Sequence, residues 1–144
     1  MTAIEKILIA TDGSRNVERA IDYAITIASI SGAKLIALYV VNPDEYEPAI
    51  KYTGRDIVDL LHKRGEEAVQ KVKLMAELKK IPCEGVVLEG NPAKKIVEYA
   101  KEKDFDLIVM GTMGRSGISK FMIGSVAEKV VRTSSVPVLT VRGK

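Results

Sequence analysis

Three glycines and a serine carry the spacing in this chain on which phosphate chemistry could be built. Gly111 and Gly114 enclose two residues, and after nine further residues come Gly124 and Ser125. Before them lies a short apolar run, Leu107, Ile108, Val109 and Met110, and after them Val126, Ala127 and Glu128 open a helical pattern. A helix that starts at Ser125 presents backbone N–H groups with no intrahelical partner and the positive end of its dipole. Glycines, which lack a Cβ, let an anion come close to the main chain. Each glycine taken alone reads as an ordinary turn residue. Set together between a strand and a helix, they read as a phosphate site.

The elements that must position this loop alternate along the chain. Lys6 to Ala10 is a short apolar run that stops at Thr11, Asp12, Gly13 and Ser14, as a buried parallel strand does before a turn. Val17, Ala20, Ile21, Ala24, Ile25 and Ala28 then recur at three and four residues, which predicts a helix with Ser14 or Asn16 as N-cap and Gly32 as terminator. Lys34 to Val41 reads as the second strand. The stretch from Asn42 to Lys51, with Pro43 and Pro48, is the longest apparent loop and suits a lid or cover. A charged helix follows, with Ile57, Leu60, Leu61, Ala68, Val72, Met75 and Ala76 as its expected core face, Gly65 as a weak point and Pro82 beyond its end. Val86 to Leu88 is a third strand, and Asn91 and Pro92 supply an N-cap and first residue for a helix whose apolar face is Ala93, Ile96, Val97 and Ala100. Leu107 to Met110 is a fourth strand, Ser125 to Ser134 a fourth helix and Val136 to Val141 a fifth strand.

Composition narrows the function classes. A chain of 144 residues suits one domain over residues 1–144, and a chain of this size buries about 68–70% of its unfolded surface, enough to fold without a disulfide. The 22 basic and 19 acidic residues are interspersed and leave a net charge of only +3, which argues against a nucleic-acid surface. The single cysteine, Cys83, has no partner and reads as a buried or half-buried structural thiol in a reducing compartment. The N-terminus has no signal-peptide pattern, and no apolar run approaches the roughly 18 residues of a membrane span. The expectation is a cytoplasmic protein with no membrane partner. No cluster of His or Cys offers a protein-built metal site, and His62, the only histidine, falls on the charged helix away from the glycine loop.

Five apolar strands joined by four helical crossovers imply a parallel sheet covered on both faces. Ligands of such sheets bind past the carboxyl ends of the strands, where the strand order reverses. The first strand, ending at Thr11 and Asp12, and the fourth, ending at Gly111, carry the polar and glycine chemistry. As neighbours at the reversal they would gather one crevice. No Gly-x-Gly-x-x-Gly follows the first strand, so NAD and FAD are disfavoured, and no Walker loop exists. The third strand ends in Glu89 and Gly90, without the Asp a phospho-accepting receiver needs there.

The pattern Gly111, Gly114, Gly124, Ser125 resembles the motif of ATP-binding universal stress proteins, Gly-x2-Gly-x9-Gly-Ser/Thr after the fourth strand. The resemblance runs the length of the chain, through Thr11 and Asp12, the turn Glu89 to Pro92, Asp106 to Gly111, and Gly124 to Arg142. It implies a Rossmann-like three-layer α/β sandwich, a five-stranded parallel sheet in the order 3-2-1-4-5 with helices on both faces. It also implies roles. Gly111 and Gly114 would fold over the phosphates, and Gly124, Ser125 and Val126 would give N–H groups, with Ser125 adding a hydroxyl or serving simply as an N-cap. Asp12 would lie near the ribose or a metal-bound water, or be a solvated turn residue. Ala10 and Thr11 would flank the nucleoside, the main chain around Val40 would hydrogen-bond the adenine edge, and Met110 is counted with the nucleotide-binding residues. Arg115, with Lys120 as a second candidate, would offset phosphate charge or remain a solvated loop cation. Any Mg²⁺ would ride on the phosphates.

Neither a Ser-His-Asp set nor an activated cysteine stands at this crevice, so no residue is assigned a catalytic role. The expected function is an adenine-nucleotide-dependent stress-response or regulatory switch acting on an unidentified protein partner, with ATP, ADP or AMP bound. The alternatives are a slow ATP hydrolase using Asp12 and a nucleotide-independent dimeric adaptor. Val136 to Val141, an apolar edge strand, and the family resemblance both point to a homodimer joined there.

Overall fold

The computed structural model describes residues 2–46, 48, 51, 56–113 and 122–143. Gly114, Arg115 and Lys120 lie outside these residues, as does part of the expected lid. Five strands, β1 (Lys6–Ala10), β2 (Lys34–Val41), β3 (Cys83–Glu89), β4 (Leu107–Gly111) and β5 (Val138–Val141), form one sheet in the order β3-β2-β1-β4-β5. Every pairing is parallel, and β1 runs alongside both β2 and β4, with Ala10 opposite Leu38 and Met110. The order reverses between β1 and β4, so the polar ends of those two strands emerge side by side.

Strand alternation divides the core in two. Ile7 and Ile9 of β1, with Leu35, Ala37, Tyr39 and Val41 of β2, face α1 (Glu18–Ser31) and α2 (Asp56–Leu78). Leu8, Ala10, Ile36, Leu38, Ile108 and Met110 face α3 (Pro92–Glu102) and α4 (Ser125–Thr133). Continuous rather than alternating apolar strands are what a sheet covered on both faces demands. The Glu18 carboxylate pairs with Lys71, joining α1 to α2, and this ammonium holds the Glu18 carboxyl below its ordinary range.

Several local details differ from the sequence reading. Neither Ser14 nor Asn16 caps α1: the chain enters through a 3-10 turn, Arg15–Val17, and Val17 is the N-cap with no side-chain hydrogen bond. Gly32 does end α1, in the left-handed region at φ 77°. On α2 the buried stripe is Val58, Leu61, Gly65, Ala68, Val69, Val72 and Ala76, and Leu60 is exposed. Adjacent residues on a helix lie 100° apart, and with the buried stripe running through Val58, Leu61 and Gly65, Leu60 falls beyond its edge. β3 extends to Cys83 and Glu89, whereas β5 starts at Val138 and α4 ends at Thr133. Between them Ser134 folds into a turn, its hydroxyl donating to the Val136 carbonyl and accepting from the Val136 amide. Asn91 caps α3 as its type suggests, accepting from the Lys94 amide at 3.1 Å with Pro92 in the first turn. Cys83 is half-buried, and burial pushes its thiol up to about 11.

Candidate functional site

A cavity of about 480 Å³ opens at the carboxyl edge of the sheet, where β1 and β4 diverge. Its floor is the last residues of three strands: Ala10 of β1, Leu38 to Val41 of β2, and Met110 and Gly111 of β4. Pro92 and Ile96 of α3 close one side, and Leu61 of α2 with Val17 the other. Asn42, Glu45 and Tyr46, around the 3-10 turn Pro43–Tyr46, line the rim, so the described part of the expected lid does reach the cavity.

The turn after β1 is built by its own side chains. The Thr11 amide donates to the Leu38 carbonyl at 2.9 Å, the Thr11 hydroxyl accepts from the Gly13 amide at 3.1 Å, and Asp12 Oδ1 accepts from the Ser14 amide at 2.9 Å. Gly13 takes φ 79°, which side chains rarely adopt. Thr11 and Asp12 both line the cavity, so the turn reading and the site reading of Asp12 coexist.

The glycine loop leaves β4 at Gly111 and returns at Gly124. Thr112 holds the neck: its amide donates to the Val141 carbonyl at 3.1 Å, and its carbonyl accepts from the Gly124 amide at 2.6 Å. Gly111 meets a close backbone approach, since a Cβ there would stand 3.3 Å from the Asn16 carbonyl oxygen and 3.5 Å from that of Met113. The segment just before α1 thus leaves little room for a side chain at 111 independently of any ligand.

Gly124 is the N-cap of α4 in an extended conformation, and its carbonyl accepts the Glu128 amide at 2.9 Å. Ser125 is accordingly the first helical residue rather than the cap. No side chain among the described residues caps this helix, and the amides of Ser125, Val126 and Ala127 stand outside the intrahelical ladder beside the cavity these residues line. The N-terminus of α4 and its dipole favour an anion there.

Of the residues picked from the sequence, Ala10, Thr11, Asp12, Val40, Met110, Gly111, Gly124, Ser125 and Val126 all line this one cavity, and Gly114 and Arg115 lie outside the described residues. Lining the cavity but not picked as site residues from the sequence are Val17, Leu38, Tyr39, Val41, Asn42, Glu45, Tyr46, Leu61, Pro92, Ile96, Thr112, Met113 and Ala127. Of these, Asn42 to Tyr46 carried a signal, as the start of a long loop after a strand adjoining the reversal. Leu61 and Val17 carried none, because core packing and site lining look alike in sequence. The lining among the described residues includes two carboxylates, Asp12 and Glu45, and no Lys or Arg. No group of three or more metal-ligating side chains is present among the described residues, and no described helix is long and apolar enough to cross a membrane. His62 stays outside the lining, its Nε2 3.6 Å from Glu89 Oε1.

The profile of the universal stress protein family matches residues 3–142. Universal stress protein MJ0531 of Methanocaldococcus jannaschii is 41% identical over 139 residues, which cover 96% of this chain and 82% of that protein. The solved structure of MJ0577 from the same organism is similar over 99% of both chains, with a TM-score of 0.88 at 25% identity. A universal stress protein solved in complex with cAMP is 30% identical, with a TM-score of 0.72 and 98% of each chain covered.

Proposed function

The chain belongs to the universal stress protein family, and on that footing we propose that its cavity binds an adenine nucleotide, ATP or its products, and that occupancy switches the surface offered to a protein partner. The observation that carries the reading is the N-terminus of α4, without a side-chain cap among the described residues, opening onto a cavity with apolar walls. The free amides of Ser125 and Val126 suit a phosphate, and Ala10, Leu38, Val40 and Met110 suit a flat apolar base. A volume of about 480 Å³ is in the range of small-ligand sites. The cAMP complex of a relative supports a nucleotide of this class.

In this reading the phosphates sit between α4 and the glycine loop, Gly111 and Gly114 keep that loop close, and Arg115 adds positive charge from the loop. Asp12 and Glu45 bring negative charge to a lining without described cations, which favours a nucleotide whose phosphates carry Mg²⁺. Occupancy of the phosphate site is the switching element in this reading.

The test is the nucleotide content of the purified, undialysed protein, identified by mass spectrometry, followed by ATP titration of the emptied form. Stoichiometric adenine nucleotide supports the reading, and ADP or AMP in place of ATP points to slow hydrolysis. An empty protein that ignores millimolar ATP would replace the reading with a nucleotide-independent adaptor.

We also propose a homodimer through β5. β3 and β5 are the outer strands of the sheet, and β3 carries Glu84 and Glu89 whereas β5 is Val138, Leu139, Thr140 and Val141, without a charge to discourage pairing. Light scattering at micromolar concentration should give twice the chain mass, and a monomer would remove the proposal.

A further inference from the structure

Among the described residues, two buried hydroxyl oxygens have no hydrogen-bond partner, Ser14 Oγ and Thr112 Oγ1, and of these Thr112 lines the cavity. Its main chain is fully committed, the amide to Val141 and the carbonyl to Gly124, so the side chain is the one polar part of the residue without an assignment. A buried hydroxyl without a partner destabilises the empty protein, and such a group in a native structure calls for an explanation. A ligand that completes it is one. Glycine occupies both sides of the neck, Gly111 before Thr112 and Gly124 hydrogen-bonded to it, and the α4 amides begin at the next residue.

Resting on the nucleotide reading of the cavity, we propose that the Thr112 hydroxyl is a phosphate-reading group: when a nucleotide enters, the hydroxyl turns by one staggered χ1 step and donates to a phosphate oxygen seated at the N-terminus of α4. A single step suffices because Thr112 already borders the cavity, and Oγ1 and Cγ2 exchange positions among the staggered rotamers. The ligand thereby supplies the partner the hydroxyl lacks. The same residue clasps β5 and the return of the glycine loop, so phosphate occupancy bears directly on the neck that fixes the loop.

Thr112→Val keeps the shape and removes the hydroxyl. Thermal unfolding of the ligand-free variant should occur at or above the wild-type temperature, because a hydroxyl without a partner is lost. ATP affinity, by calorimetric titration, should fall about tenfold, while adenosine, which has no phosphate, should bind both forms alike. Thr112→Ser should retain ATP binding within about threefold, and Thr112→Ala gives a second hydroxyl-free form should the valine disturb folding. Equal ATP affinity in wild type and Thr112→Val would overturn the proposal while leaving the nucleotide reading intact. So would an equal loss for ATP and adenosine, or a lower unfolding temperature with unchanged affinity. A wild-type protein that binds neither ligand would overturn both.

Discussion

The ring of Tyr39 rests directly on Gly65. A Cβ built at Gly65 would stand 2.7 Å from Cδ1 and 3.2 Å from Cε1 of that ring, and 3.1 Å from Cγ1 of Val87. A glycine inside a helix of 23 residues looks from sequence like a weakness. Here it is what lets α2 lie close enough to β2 and β3 to bury a tyrosine at 3% exposure.

Gly65→Ala sets two effects against each other. Helix propensity alone would stabilise the protein by up to about 1 kcal/mol. Overpacking against an aromatic ring costs about 1–3 kcal/mol. With the ring of Tyr39 buried at 3% exposure and only 2.7 Å from the added Cβ, the steric cost is the larger, so the expected outcome is a lower midpoint in urea unfolding. A rise would mean that the ring moves freely.

Gly124 offers the opposite case. Its φ of −68° and ψ of 160° are open to any residue, so Gly124→Leu should fold, with an unchanged far-ultraviolet spectrum. A branched side chain beside the first amides of α4 should nonetheless abolish ATP binding. Retained ATP affinity in the folded variant would count heavily against the phosphate reading of this helix.

Asp12 needs a variant that respects its turn. Removing the carboxylate with Asp12→Ala also removes the acceptor for the Ser14 amide and should cost about 0.5–1.5 kcal/mol of stability. Asp12→Asn keeps an oxygen acceptor and removes only the charge. If the carboxylate meets a metal on the phosphates, Asn should bind ATP with a weaker dependence on Mg²⁺ at wild-type stability. Identical Mg²⁺ dependence would assign Asp12 to the turn alone.

Cys83 should be slow to alkylate in the folded protein. Burial raises its pKa from 9.0 to about 11, so the folded thiol keeps its proton between those values while the unfolded one has lost it. Folding therefore takes up a proton in that window, and the stability contribution falls as pH rises from about 9 to about 11. The iodoacetamide rate, followed by mass spectrometry, should climb through about pH 11 in the folded protein and two units earlier in denaturant. Coincident profiles would place the thiol in solvent.

The sequence by itself determined the alternation of elements, the two-faced burial of the strands and the position of the glycine loop. These are local properties: a run of apolar residues, a period of three to four, a glycine spacing and an Asn-Pro start each announce themselves within a few residues. The helix N-terminus beside Gly124 was legible for the same reason. Tertiary structure decided everything that depends on what lies opposite. It brought Leu61 and Val17 to the cavity and turned Leu60 outward. It crowded Gly65 and Gly111 through close approaches of Tyr39 and Asn16, which are distant in the chain. It also left one hydroxyl, that of Thr112, buried without a partner beside the site, a fact about geometry that no residue spacing can encode.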